Sequence, residues 1–376
     1  MSDLWPSDPA LRALLDQSSP GAAALARLRA AWLAGELGGA HNRVEGIVRP
    51  PEPGDVHDWP GTDEENALAR ERGNAALLRG EVGLVVLNGG MATRFGGVVK
   101  GVVSVEAPDS FLGLKLLDAL RVARHLGATP PVVILMNSRA TTDATRAHLE
   151  AHAYFGYPAE RVWMFEQQWT ARLDAEGELF IEADGGPSFY GPGHGDLGAC
   201  LRDSGLLDRF EAAGGRTILM SNVDNVVATL EASILGRHLE AAAPITVELV
   251  DKWAGDAGGA PAYVDGRMQI VEAFRFPEDF DASSISVFNT NTLWLETAVL
   301  QAEHPLTWFV VRKEVEGRPA IQFERLVGEL TAFAVTHWLR VPRAGLSTRF
   351  VPIKGPAELA ACRRDLMAAW RARAKA

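Results

Sequence analysis

The chain has 376 residues, 47% of them hydrophobic and 23% charged, the balance of a globular protein long enough for one large α/β domain with attachments or for two or three units. Its net charge of −11 argues against broad binding to nucleic acid or anionic membrane, which needs basic surface. Two cysteines, Cys200 and Cys362, give neither a disulfide framework nor a thiolate metal site and point to a reducing, cytoplasmic setting. The first residues carry no basic start or apolar core, so no signal peptide is expected, and no apolar run is long enough to predict a membrane helix.

Residues 1–80 predict a helical segment and linker. LRALLDQ and AAALARLRAAWLAGEL have helical spacing. RPPEPGDVHDWPGTDEE (49–65) reads as a linker of proline, glycine and acids. NALARERGNAALLRG reads as a further helix stopped by Gly80. From residue 81, strands and helices alternate. VGLVVLN (82–88) is apolar almost throughout, as a strand covered on both faces requires. It runs into a glycine-rich loop that ends at Lys100. FLGLKLLDALRVARHLG (111–127) is an amphipathic helix closed by Gly127. PVVILMNS (131–138), RVWMF (161–165) and RTILMSN (216–222) read as further strands, and PITVELV follows the helix SILGRHLEAAA. The alternation predicts an α/β fold, a mostly parallel mixed sheet flanked by helices, over 81–340. Residues 341–376 are expected to add a closing strand with Lys354 and a terminal helix. Ligands of such sheets bind beyond the carboxyl ends of strands. There the sequence puts Asn88, Asn137-Ser138, and Ser221-Asn222 leading to Asp224.

The loop GGMATRFGGVVKG fits neither common phosphate motif. Gly101, not Ser or Thr, follows Lys100, and the glycines fall in pairs at 89–90 and 96–97. Its chemistry still suits an anion. Gly89 and Gly90 let backbone N–H groups approach a ligand, Thr93 and Arg94 add side-chain donors, and Lys100 adds a compact charge. Lysine is uncommon in this chain, supplying six of the 37 basic residues, so each lysine carries information. GPGHGD (191–196) surrounds His194 with glycines. SNVDN (221–225) sets Asp224 at a strand end, where it could bind Mg2+ beside phosphates or form an Asx turn. NTNTLWL (289–295) and RFVPIKGPAEL (349–359) add Asn291 and Lys354. Taken singly, each has a plainer structural account. Most of Trp163, Trp169, Trp253, Trp294, Trp308 and Trp338 are read as packing residues.

In one order over residues 80–360, LNGGMATRFGGVVKG, LMNS, FEQQ, GPGHGD, SGLLD, SNVDN, DKWAGDAGG, NTNTLW, AIQFE and RFVPIKG resemble the motifs of the UTP–glucose-1-phosphate uridylyltransferases, or UDP-glucose pyrophosphorylases. The resemblance implies a Rossmann-like nucleotide-diphospho-sugar transferase fold. It implies a reaction in which a sugar 1-phosphate attacks the α-phosphorus of UTP, assisted by Mg2+, and pyrophosphate leaves. Carried over by residue, it implies that Leu87, Asn88, Gly89 and Gly90 meet the base and phosphates and that Gln167 reads the uracil. Gly193 and His194 would line the uridine and sugar region. Asn222 and Asp224 would hold ribose, phosphate or metal. Lys100 and Lys354 would act on the phosphates at the reacting centre, and Arg94, a donor on the same loop, is expected to join them. Gly259, Asn291 and Glu324 would line the sugar.

The sequence also departs from the family pattern. Ala92 stands where the family loop has Gly, Val99 where it has Pro, and the loop is one residue shorter than in many relatives. Relatives with a carboxy-terminal β-helix domain continue well past the last lysine, whereas 22 residues follow Lys354 here. The expectation is a short, bacterial-type member, whose oligomer, if it forms one, does not use a β-helix. Another hexose or cyclitol phosphate, another nucleoside triphosphate, or a non-catalytic nucleotide-sugar binder would use the same scaffold. A nicotinamide oxidoreductase lacks its fingerprint.

Overall fold

A computed structural model describes residues 5–256 and 258–373, with backbone alone at 92 and 93. Eight strands make the central sheet: β1 (Val56–Asp58), β2 (Val82–Leu87), β3 (Val132–Asn137), β4 (Val162–Glu166), β5 (Thr217–Asn222), β6 (Ile245–Asp251), β7 (Val287–Glu296) and β8 (Thr336–Arg340). Their order is β1-β8-β6-β7-β5-β2-β3-β4. Neighbours run parallel except that β7 is antiparallel to both β5 and β6. The sheet is therefore mixed and mostly parallel, as the alternation predicts.

The uninterrupted apolar runs follow from burial on both faces. Along β2, Val82, Leu84 and Val86 enter one core and Val85 the other. Along β3, Val133 and Leu135 oppose Val132, Ile134 and Met136 in the same way.

The helices α1 (Pro9–Leu15), α2 (Ala22–Leu33), α3 (Asp63–Leu78), α4 (Phe111–Leu126), α5 (Ala232–Ala241) and α6 (Pro356–Ala372) matter most for the site. α3 begins in a capping box. Thr62 Oγ1 accepts from Glu65 N and Glu65 Oε2 accepts from Thr62 N, so the helix starts three residues before the apolar pattern does. α3 and α5 touch backbone to backbone. A Cβ on Gly73 would lie 1.8 Å from the Ala232 carbonyl oxygen, and one on Gly236 1.7 Å from that of Ala69. α4 starts at the Ser110 cap and stops at Gly127, whose φ is 65°.

Two sequence expectations change, and the amino-terminal helices find a packing partner that the sequence does not mark. The proline- and acid-rich 49–65 stretch contains β1, because Val56, His57 and Asp58 pair with Trp338, Leu339 and Arg340 at the sheet edge. No strand lies between Val341 and Gly355. There the Asn225 side chain takes the partner's place, donating to the Arg349 carbonyl at 3.0 Å and accepting from Val351 N at 3.1 Å. Finally, α1 and α2 join a third core, in which Leu15, Ala22 and Leu25 pack with Leu173, Val310, Ile321 and Phe323. Trp163, Trp294 and Trp338 are buried as expected, while Trp253 is 53% exposed. No helix among the described residues is long and apolar enough to cross a membrane.

Candidate active site

A cavity of about 840 Å³ opens beyond the carboxyl ends of β5, β2, β3 and β4. Each strand feeds it with residues at or just past its end: Asn222 to Asp224, Leu87 with Gly89 and Gly90, Ser138, and Gln167 to Trp169. Four adjacent parallel strands thus turn polar at one edge, the usual ligand position in such sheets.

The glycine-rich loop is a small hairpin. Met91-Ala92 pairs with Val98-Val99, and Gly96 and Gly97, with φ of 82° and 80°, form part of its far end. The second glycine pair therefore serves a turn, not a ligand. The hairpin returns the chain so that Lys100 N bonds the Gly90 carbonyl at 3.3 Å, and the Lys100 side chain faces the cavity beside Gly89 and Gly90. The side chain of Thr93 lies outside the described residues.

Asn88 does not face the ligand space. It is fully buried, and its Nδ2 donates to Asn137 Oδ1 at 2.8 Å and Thr145 Oγ1 at 2.9 Å. A Cβ on Gly101 would lie 2.2 Å from Asn88 Oδ1, so Gly101 is needed for the hairpin to seat on it. Asn88 thus fixes the loop from beneath.

Gln167 stands beside the glycine pair in the cavity wall. Its side chain lies between two glycines: a Cβ on Gly191 would come within 1.7 Å of Nε2, and one on Gly89 within 3.1 Å of the amide carbon. Its backbone N donates to the Asn137 carbonyl at 2.7 Å. The amide is therefore a fixed donor–acceptor pair at the cavity surface.

In GPGHGD the glycines admit the backbone of Arg325, since a Cβ on Gly193 would sit 2.3 Å from its carbonyl oxygen. His194 Nδ1 accepts from Val327 N at 3.0 Å, which leaves Nε2–H as the ring's donor in the neutral form. Burial pushes this imidazole down to about 4, so His194 is a neutral donor in the cavity wall near pH 7. Asp196 is buried and paired with Arg325. Burial raises its carboxyl to about 6 against the pull of that arginine.

At the floor, Lys100 Nζ donates to Asp224 Oδ2, and both side chains keep some exposure to the cavity. Asn291 stands one layer behind. A bulge in β7 carries it at φ 55°, and its Nδ2 donates to Asn222 Oδ1 at 3.1 Å. Asn291 therefore orients Asn222 and does not line the cavity.

The remaining expected residues lie outside this space. Gly259 packs against Glu272 and Ile270 and accepts from Asn289 N. Glu324 lies 3.8 Å from Lys313 and reaches the wall through Gln322, whose amide, with its oxygen toward Arg172, donates to Glu324 at 3.0 Å. Arg94 and Lys354 are exposed and are not among the residues that line the cavity, and the Arg94 side chain lies against Gly355. The backbone N of Lys354 donates to Glu358 at 2.5 Å.

Several wall residues carry no sequence signal of that role. Leu14 of α1 lines the cavity, as do Arg139, Trp169, Arg172 and Tyr190. Trp169 packs against the third core as expected, and it also faces the cavity, with the Arg139 guanidinium 4.8 Å from its ring centre. Ser138 and Gln168 stand within LMNS and FEQQ and could have been drawn from those motifs.

The sequence model of the family described as UTP–glucose-1-phosphate uridylyltransferase matches residues 48–374. The chain belongs to this uridylyltransferase family. It is 28% identical over 341 residues to the UTP–glucose-1-phosphate uridylyltransferase of Saccharomyces cerevisiae, which covers 85% of this chain and 65% of the yeast protein. It spans a little under two thirds of the length of the curated relatives it matches. Among solved structures, a mutant UDP-glucose pyrophosphorylase of Leishmania major superimposes with a TM-score of 0.72 at 24% identity, over 89% of this chain and 73% of that one. The UDP-N-acetylglucosamine pyrophosphorylase of Trypanosoma brucei gives 0.74 at 17% identity, over 96% and 80%. These likenesses establish the uridylyltransferase fold without distinguishing between the two sugars.

Proposed function

We propose that the chain transfers a uridylyl group from UTP to a sugar 1-phosphate, most simply glucose 1-phosphate, forming a UDP-sugar and pyrophosphate. The observation that carries this is the meeting of Lys100 and Asp224 beneath Gly89 and Gly90 in one cavity with Gln167. Family membership supports UTP and glucose 1-phosphate as the pair.

The nucleophile is an oxygen of the sugar phosphate. It needs no general base, because a phosphate monoester loses its second proton at a pKa of about 6. That oxygen forms a bond to the α-phosphorus as the bond to the α–β bridging oxygen breaks, and the electron pair leaves with pyrophosphate. The chain has to hold two anions together and meet the charge that develops on the leaving group. Lys100 acts at that centre, aimed by Asp224. Leu87, Gly89 and Gly90 receive the base and phosphates, and Gln167 reads the imide edge of uracil. His194 donates through Nε2, with Gly193 beside it, along the uridine and sugar. Asn222, held by Asn291, meets ribose. Lys354 and Arg94 act on the phosphates, and Gly259 and Glu324 serve the sugar, all four from outside the lining shell.

Among the described residues no group of three or more His, Cys, Asp or Glu could hold a metal unaided. A single carboxylate, Asp224, fits Mg2+, which takes one or two carboxylates and fills its shell with phosphate oxygens and water. Bound there, Mg2+ would neutralise phosphate charge.

The test is pyrophosphate release by the purified chain with Mg2+, crossing UTP, GTP, dTTP and ATP with a panel of sugar 1-phosphates. Release strongest for UTP with glucose 1-phosphate supports the reading. Release with another pair keeps the chemistry and replaces the substrate. Nucleotide-sugar binding without release from any pair makes the chain a non-catalytic binder.

A further inference from the structure

Lys115 sits on α4 between Leu114 and Leu116, in a row that also includes Phe111, Leu112 and Ala119, all fully buried. It is itself 2% exposed. An ammonium there carries a desolvation cost of several kcal/mol. A methionine or leucine would fill the same space without it.

The amine meets two acceptors. Nζ donates to Ser221 Oγ at 2.9 Å and to the Ala228 carbonyl at 2.8 Å. Those two atoms bracket the segment that carries Asn222, Val223 and Asp224 into the cavity. Between them the chain turns through bonds from Asn225 N to the Asn222 carbonyl and from Ala228 N to the Asn225 carbonyl, at 3.3 and 3.1 Å. Lys115 is therefore a crossbar beneath the turn. Its surroundings are charged: Asp118 on its own helix, Asp224 above, Glu248 of β6, and Arg349 of the segment that leads to Lys354. Burial pushes the amine down to about 7, against the pull of Asp118. A neutral amine still has two N–H donors, enough for both acceptors.

We propose that Lys115 is a positioning residue for the reacting centre, holding Asp224 in register with Lys100 by fixing both ends of the 221–228 turn. The inference rests on the nucleotidyl-transfer reading above. It assigns a role to a lysine that touches neither the cavity nor the substrates.

Lys115→Met keeps a long apolar stem and removes both donors. The half-saturating Mg2+ concentration for pyrophosphate release should rise about tenfold, the usual order for losing a residue that orients a metal ligand. UTP binding measured by calorimetry should weaken at limiting Mg2+ and recover at saturating Mg2+. The melting temperature should fall, because the Ser221 hydroxyl and the buried Ala228 carbonyl lose their donor. A residue that only supports the fold would lower the melting temperature with an unmoved Mg2+ midpoint, and that result overturns the proposal. Ser221→Ala removes one acceptor and should shift the midpoint in the same direction by a smaller factor. If the methionine variant does not fold, an unmoved midpoint in Ser221→Ala overturns the proposal on its own. A wild-type chain that neither binds UTP nor releases pyrophosphate overturns the nucleotidyl-transfer reading and this inference with it. A competent wild type matched by both variants overturns this inference alone.

Discussion

The two ends of the cavity are built in different ways. At the floor, Lys100, Asp224, Gly89 and Gly90 come from two strand ends adjacent in the sheet, and a hairpin and a short turn bring them together. At the opposite wall, Leu14, Gln168, Trp169 and Arg172 come from a terminal helix and from the region beyond β4. They are tied by contacts far apart in sequence: Ser18 Oγ donates to Gln168 Oε1 at 3.0 Å, and Trp169 N donates to Ser18 Oγ at 2.7 Å. The floor carries ionic chemistry held in place by local backbone. The wall carries shape and apolar surface held by tertiary packing. Changes at the floor should therefore act on turnover, and changes at the wall on affinity and selectivity.

The largest effect should follow from Lys100→Ala. We expect kcat/KM for pyrophosphate release to fall about 10²-fold or more, mainly through kcat, because a charge needed as the leaving group departs is gone. Lys100→Arg should recover only part, since a planar fork does not replace a point charge. Near-wild-type turnover in the alanine variant would remove Lys100 from the chemistry and end the division between floor and wall. Asp224→Asn comes next. It keeps the side-chain size and removes the charge that aims Lys100. The half-saturating Mg2+ concentration should rise on the order of tenfold, and an unchanged Mg2+ titration would take the metal away from Asp224.

Much of this was legible in the sequence where local backbone dictates the outcome. β2 and β3 are unbroken apolar runs because both sheet faces are covered, and a polar residue marks where each run leaves the sheet. The motif residues Gly89, Gly90, Lys100, Gln167, His194 and Asp224 do meet in one cavity. What the motifs could not give is direction and layer. Asn88 sits within a motif expected to meet the ligand yet turns inward, because the neighbouring strand end offers Asn137 and the helix Thr142–Ala151 offers Thr145. Asn291 is aimed at Asn222 by a bulge that depends on pairing with β6. β1 is hidden in a composition of prolines and acids, since its strand character comes from the edge it joins. Leu14 is one apolar residue in a helix with nothing to mark which face closes a cavity.

Gly191→Ala tests the boundary between the two ends. The new Cβ would come within 1.7 Å of Gln167 Nε2, so the amide must leave its slot between Gly191 and Gly89. If Gln167 reads the base, KM for UTP should rise about fivefold, the worth of one net hydrogen bond of roughly 1 kcal/mol. The preference for UTP over other triphosphates should narrow, and kcat should change little. Equal losses for every triphosphate would mean that the amide supports the wall without reading the base.

The smallest effect is expected from Leu14→Ala, and it bears most directly on the comparison. Leu14 lies in α1, before residue 48, where the match to the uridylyltransferase family begins. Its neighbour Leu15 belongs to the core shared with Leu173 and Ile321, whereas Leu14 lies against the cavity. Truncating it removes apolar surface from the wall and leaves that core intact, so the melting temperature should barely move. Partial loss of one apolar contact, at about 25 cal/mol per Å² of buried area, corresponds to a two- to threefold rise in KM. Because such a contact is the same in ground and transition states, kcat should stay at the wild-type value. A fall in kcat larger than the rise in KM would mean that the amino-terminal helix helps set the reacting geometry. The wall would then be part of the floor's machinery, and the cavity would have to be read as one unit.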